Sequence, residues 1–393
     1  MLREALIAAS LLLTGAGPAS AQLAPLPPQP ADTPWPTQQW PTGELAADVN
    51  RQQLEAAMNY AFGGFQSDLG ETRAVVIIQG GRLVYERYGD GYGPATRLIS
   101  WSMAKSFTHA LVGAAVLQGR VNIDAPLGSP YWAANDPRAA ITWRQFLNFV
   151  DGQRWSETYA TKPTENDSAR MLYGEGRMNT ARYGANQPLI NPPGTHWNYN
   201  SGGTALLADG LTRAVVPDAP SPNVRRARMR AWMDQSLFDP MGMHPVVQFD
   251  PAGLFYGSAE IFATARDFAR FGLLYLRDGV WDGKRLLPEG WVDFARTPGP
   301  DTHTTIYGAQ FWLTPSQGTG APIRSLLTDN ALSDAFEAQG HEGQLIVIVP
   351  SKDLVIVRLG RFDDTGERWN KLGDWVQSVV QSFANRPVAA HHG

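Results

Sequence analysis

The sequence predicts an α+β fold: strands from the two ends of the chain share one antiparallel sheet, helices flank it, and a mostly helical region is inserted between them. Three observations predict it. Two β-rich runs flank Gly80-Gly81 between Arg73 and Asp90, a hairpin pattern. The same pattern returns near the end, between Gly343 and Arg361, around Ser351-Lys352-Asp353. The stretch between these hairpins, about 121–262, has the texture of helices and loops, with Pro/Gly/Asn-rich connections around 186–203 and 217–223.

The elements follow in chain order. Met1 to Ala21 reads as a secretory leader: Arg3 in a short first part, an apolar stretch from Ala5 to Ala16, and small residues Ala19-Ser20-Ala21 before a cut ahead of Gln22. It implies a periplasmic or secreted protein, and with no cysteine after the cut no lipid anchor is expected. Residues 22–43 hold seven prolines with Trp35 and Trp40 and read as an extended arm, docked in its second half and mobile in its first. Residues 44–385 form the folded domain and 386–393 a tail. Within the domain, Glu44–Phe65 has helical spacing, Ser100–Gln118 is apolar on nearly every face and reads as a central buried helix, and Arg266–Val280 is an amphipathic helix ending in glycine. Glu367–Phe383 closes the domain as a helix.

Composition narrows the chemistry. Of 393 residues 18% are charged and the net charge is −4, which leaves no basic footprint for nucleic acid. The absence of cysteine removes disulfide scaffolds, zinc–cysteine sites and cysteine nucleophiles together. The 13 Trp, 16 Phe and 12 Tyr are too many sticky side chains for a disordered chain. No Gly-x-Ser-x-Gly, no Walker A motif and no His-x-x-x-His pair occurs, so neither a nucleophile elbow, a phosphate loop nor a helical zinc pair is expected. No cofactor and no metal are implied.

One motif carries chemistry. Ser102-Met-Ala-Lys105 is the sole Ser-x-x-Lys, in a chain with five lysines among 33 basic residues, and it opens the apolar helix where a solvated lysine is out of place. Positions i and i+3 share a helical face, so the serine hydroxyl and the lysine amine can meet. Burial and the helix N-terminus disfavour the ammonium, and a neutral amine beside a hydroxyl is a general base.

With these residues the chain resembles the serine β-lactamase and penicillin-binding-protein superfamily, in its class C-like branch, closest in pattern to 6-aminohexanoate-dimer hydrolases and family VIII carboxylesterases. The resemblance spans about residues 45–385. It rests on Ser100–Phe107 (SWSMAKSF), Gly119–Pro126, Trp197–Ser201 (WNYNS), Ala263–Gly272 and Gly340–Gln344 (GHEGQ). It implies a β-lactamase/transpeptidase-like fold and an acyl-enzyme on Ser102. Lys105 and Tyr199 would share the proton transfers, and the backbone N–H groups of Ser102 and Gln344 would hold the oxyanion. Ser201 stands where lactamases keep asparagine, and His341-Glu342-Gly343 stands where they keep Lys-Thr-Gly. Gly343 would let substrate backbone approach. Glu342 would face a lactam carboxylate and disfavour penicillins, with His341 as a part-time cation. Tyr159, in a segment resembling a substrate-covering loop, is read either as a donor to the leaving group or acyl-pocket wall, or as packing; Trp197 is read as packing. The expectation is a hydrolase of a small ester or linear amide. Penicillin recognition is the second reading, and a non-catalytic binding protein with this fold the third. Oligomeric state is not legible.

Overall fold

The computed structural model describes residues 23–64, 67–157, 163–299, 306–313, 334–363 and 365–386. The leader, Tyr159 and residues 387–393 of the tail lie outside them. Among the described residues the strands are β1 Glu71–Gln79, β2 Arg82–Tyr88, β3 Arg97–Ile99, β4 Val246–Val247, β5 Ile261–Thr264, β6 Val280–Trp281, β7 Lys284–Arg285, β8 Trp312–Leu313, β9 Phe336–Gly340, β10 Gln344–Val349 and β11 Leu354–Arg361. The helices are α1 Arg51–Ala61, α2 Ala104–Leu117, α3 Trp143–Leu147, α4 Asp167–Tyr173, α5 Thr180–Ala185, α6 Ser201–Val215, α7 Pro222–Met233, α8 Asp239–Met241, α9 Ala265–Leu276, α10 Trp291–Ala295 and α11 Gly366–Gln381.

The main sheet runs β2-β1-β11-β10-β9-β8. The two hairpins therefore meet: β1 pairs antiparallel with β11, Val76 opposite Val357. This is the fold class predicted from the sequence, and the joint it needs. Val75, Ile77, Leu345, Val347 and Ile356 point to one face, against Leu54 and Met58 of α1 and Trp375 and Val379 of α11. Val76, Ile78, Ile346, Ile348 and Val355 point to the other, against Phe107 of α2 and Phe268 and Phe271 of α9. A sheet covered on both faces has no polar side, which is why β1, β10 and β11 read as continuous apolar runs rather than as alternation. Each such side chain, fully buried, contributes roughly 1.5–3 kcal/mol.

Three expectations are corrected. The first helix begins at Arg51 rather than Glu44, because the Asn50 side chain accepts from Gln53 N and caps it there. The buried helix does not open at Ser100: Trp101–Met103 is a separate 3-10 turn ahead of α2. The arm is docked earlier than its second half, since the buried Arg277 donates to Pro27 O at 3.1 Å and Gln29 Oε1 at 2.9 Å, while ion-pairing with Asp353 at 2.6 Å. Prolines supply no N–H of their own, so an arginine fork can anchor the arm through the carbonyls they leave open. Farther along, Arg270 donates to Pro36 O and Trp35 packs on Trp281. A second small sheet, β3-β5-β4, escaped sequence reading because strands of two to four residues carry no measurable period. No helix among the described residues is long and apolar enough to cross a membrane.

Candidate active site

The nucleophile turn is built from Ser100 outward. Ser100 N donates to Ile261 O, and Ile261 N donates to Ser100 Oγ, so the start of the turn is tied to β5. Trp101 then adopts a left-handed backbone, φ 43°, a strained state for a large side chain. Such strain persists only where the surroundings over-determine it, and it lies one residue before Ser102. From the other side comes the sheet edge: a Cβ at Gly340 would lie 2.2 Å from Ser100 O, so only glycine lets β9 come this close.

Lys105, 1% exposed, lies on the first turn of α2. Its Nζ is 2.9 Å from Ser102 Oγ, 2.8 Å from Ser201 Oγ and 3.4 Å from Ser258 O. Burial lowers its ammonium from the usual lysine range to about 8, against the opposing pull of the Glu157 carboxylate. Tyr199 hydrogen-bonds Ser102, and its ring centroid is 4.6 Å from Lys105 Nζ. It is walled in by Phe149, Tyr307 and Trp312. Burial first, then the Glu157 charge, hold this phenol well above its usual range, with the Ser102 hydrogen bond acting the other way. These influences favour the neutral phenol, which has a proton to donate. Trp197 packs on Tyr307 and Trp312, as read from the sequence.

A cavity of about 220 Å³ opens over Ser102. Trp101, Ala169, Leu172, Tyr173 and Ala259 give it apolar walls; Ser102, Asn166, Ser168, Ser258 and His341 supply polar groups. His341 is thus at the cavity as expected, its ring edge-on to Trp101 at 5.4 Å. The expectation for Glu342 is corrected. Glu342 does not line the cavity: its φ of 61° swings the side chain over β11, where it meets Arg361 at 3.4 Å. The fold itself requires glycine at 343, because with φ 81° an added Cβ would strike Phe362 and Arg358. Buried Arg358 donates to the carbonyls of Glu342 and Gly343 and so braces the tip. The Gln344 side chain locks it further, donating to His341 O and Gly360 O and accepting from Gly360 N.

Ser201, expected at the substrate, is buried behind Lys105 and is not among the cavity's walls. The cause is the cap of α6. Asn200 accepts from Gly203 N and donates to Asp151, itself buried and raised to about 6 by that burial, so the next residue turns inward. Ser201 Oγ there donates to Glu157 Oε1 at 2.8 Å. Glu157, its side chain 3% exposed and 3.8 Å from Lys105 Nζ, is the group the sequence reading missed. The one signal for it was indirect: a buried lysine calls for a counter-charge. The cavity walls on α4 and at 258–259 carried no signal, since they share no pattern with Ser102. Among the described residues no group of three or more His, Asp or Glu gathers as a metal site.

Comparison with known proteins places the chain in a family. The protein-family model described as Beta-lactamase matches residues 71–380. A 6-aminohexanoate-dimer hydrolase of Paenarthrobacter ureafaciens is 24% identical over 314 residues, 77% of this chain and 76% of that protein. Among solved structures, a penicillin binding protein from Bacillus halodurans superposes with a TM-score of 0.56 at 16% identity, covering 82% of this chain and 99% of that one. EstCE1, described as a hydrolase with promiscuous acyltransferase activity, superposes with a TM-score of 0.59 at 15% identity, covering 83% and 98%.

Proposed function

This chain belongs to the Beta-lactamase family, and on that premise we propose that it is a serine hydrolase cleaving a small ester or linear amide through an acyl-enzyme on Ser102. One observation carries the reading: a fully buried lysine amine 2.9 Å from a serine hydroxyl at the wall of a cavity. Neutral Lys105 takes the Ser102 proton as Oγ attacks the carbonyl carbon. The backbone N–H groups of Ser102 and Gln344 receive the oxyanion, a pairing supported by the close approach of the β9–β10 tip to the Ser100 carbonyl. As the tetrahedral carbon collapses, the bond to the leaving oxygen or nitrogen breaks. Tyr199 gives the departing atom its proton and is refilled from the Lys105 ammonium. Water then attacks the acyl ester, passes one proton to Lys105 and restores Ser102. Turnover rises with pH through about 8 as the neutral amine accumulates.

The cavity favours a neutral acyl group, since no Asp, Glu, Lys or Arg is among the described residues lining it. With Glu342 turned to Arg361, its expected repulsion of a lactam carboxylate loses its basis, so nitrocefin belongs beside p-nitrophenyl butyrate as a competing substrate. The leader-like residues 1–21 support a periplasmic or secreted setting, checked by the N-terminal sequence of the mature protein. The reading is tested by incubating the protein with a fluorophosphonate and locating the mass adduct. Wild type carries it on the Ser102 peptide and hydrolyses p-nitrophenyl butyrate; Ser102→Ala does neither while keeping its circular dichroism. Turnover surviving in Ser102→Ala, or an adduct elsewhere, refutes the assignment.

A further inference from the structure

We propose that Glu157 is a positioning residue that sets the direction of the proton relay, holding Ser201 as an acceptor toward Lys105 so that the amine's lone pair is left for Ser102. The proposal deepens the hydrolase reading and rests on it. From the described residues three hydrogen bonds enter the Glu157 carboxylate: Ser201 Oγ donates at 2.8 Å, Ser201 N at 3.1 Å and Trp155 Nε1 at 2.8 Å. A hydroxyl has one proton. Committed to Glu157, the Ser201 proton cannot point at Lys105, so the Ser201 oxygen presents lone pairs to Nζ at 2.8 Å. The neutral amine has two N–H groups. Ser201 Oγ takes one and Ser258 O, at 3.4 Å, takes the other. The lone pair then faces the remaining neighbour, Ser102 Oγ at 2.9 Å, which is the geometry a base needs.

A glutamine at position 157 upsets this arrangement in two ways. An amide nitrogen is a donor, so the side chain no longer accepts at both of its ends. The Ser201 proton is then released toward Nζ, where it captures the lone pair. The anion 3.8 Å from Nζ also disappears, and with it one support of the ammonium. The other titratable groups around Lys105 among the described residues are Tyr199, beside it, and Tyr307, behind Tyr199; His341 faces Ser102 across the cavity. Neither phenol is replaced in the variant. Glu157 is not among the described residues lining the cavity, so the expected effect falls on kcat rather than KM.

The test has two independent readouts on the full chain. The first follows the five lysines by 13Cε NMR against pH, with the Lys105 signal identified by its loss in Lys105→Met. Its midpoint, near 8 in wild type, falls in Glu157→Gln by at least about one pH unit and returns toward the wild-type value in Glu157→Asp. The second is p-nitrophenyl butyrate turnover measured above both midpoints: kcat falls at least about tenfold in Glu157→Gln with KM unchanged. An unmoved midpoint, or a kcat within threefold of wild type, overturns the proposal. If Glu157→Gln does not fold, Ser201→Ala carries the test: it keeps the carboxylate and breaks the relay, so kcat falls tenfold or more, and a kcat within threefold of wild type overturns the proposal. Absence of wild-type turnover and Ser102 labelling refutes the hydrolase reading instead, and the NMR titration still decides the Glu157–Lys105 coupling.

Discussion

Gly340→Ala places one methyl group where the sheet edge meets the nucleophile turn. Gly340 has φ −132° and ψ 151°, extended backbone that alanine adopts without strain, so the effect of the change is purely steric. The new Cβ falls 2.2 Å from Ser100 O, 3.2 Å from Ser100 C and 3.1 Å from Gln344 Cβ. Relief at the carbonyl oxygen needs roughly 1 Å of separation, since carbon–oxygen contacts rarely close below about 3 Å. The obstacle is backbone, which has no flexible end to swing away. Ser100 is held to Ile261 by two hydrogen bonds and the β9–β10 tip is braced by Arg358 and the Gln344 side chain, so one of two tied segments must give. Either shift separates Gln344 N–H from Ser102. A misplacement of about 1 Å at a reacting centre costs on the order of 10²-fold in rate, close to 2.7 kcal/mol of barrier. Overpacking lowers stability by about 1–3 kcal/mol as well. The assay is kcat/KM for p-nitrophenyl butyrate together with the fluorophosphonate labelling rate and Tm. Gly366→Ala, at a position where an added Cβ meets nothing within 4 Å, serves as the neutral control. If Gly340→Ala keeps kcat/KM within threefold of wild type, the placement of Gln344 as an oxyanion donor by this contact is wrong.

Three other expectations follow from the same reasoning. His109 is fully buried, bonded through Nδ1 to Tyr275, and burial lowers it from 6.5 to about 3. The unfolded chain therefore binds its proton first, and stability is lost as pH falls below 6.5 toward 3; between pH 7 and 4.5 this term is about 2.5 kcal/mol, so His109→Phe shows a correspondingly shallower decline in urea unfolding, and an identical slope contradicts it. Glu342→Gln leaves the nitrocefin-to-ester ratio of kcat/KM within threefold of wild type and changes stability by less than about 1 kcal/mol, because the carboxylate meets partly exposed Arg361 rather than substrate and the amide keeps the same backbone demand at φ 61°; a larger shift in the ratio returns Glu342 to the cavity. Arg277→Ala strands Asp353 and frees the arm, costing about 3–5 kcal/mol in urea unfolding and opening residues 23–43 to limited proteolysis; an arm that stays protease-resistant shows that its prolines and tryptophans dock without the arginine.

What the chain determined by itself lies in contiguous residues. Two apolar runs about a tight turn make a hairpin wherever they occur, so β1–β2 and β10–β11 were legible, as was the shared sheet that buries both. An i, i+3 spacing on a helical turn brings Ser102 to Lys105 regardless of the rest, and the apolar run around them already demanded a lysine out of water. Tyr199 was legible through a resemblance rather than a period, and its neighbourhood was not: Phe149, Tyr307 and Trp312 seal it in and hold it as a neutral phenol. Glu157, Ser201 and Ser258 meet at Lys105 from three separate stretches of chain, and no local pattern encodes a meeting of that kind. Likewise the letter E at position 342 announced a carboxylate at the third motif, but a backbone φ of 61° aimed it at Arg361 instead of the cavity. Residue type and short spacing set which groups are available and which neighbours on one helix can touch. Long-range packing, through burial and the direction it forces on each side chain, decided their partners, their protonation and which of them face the substrate.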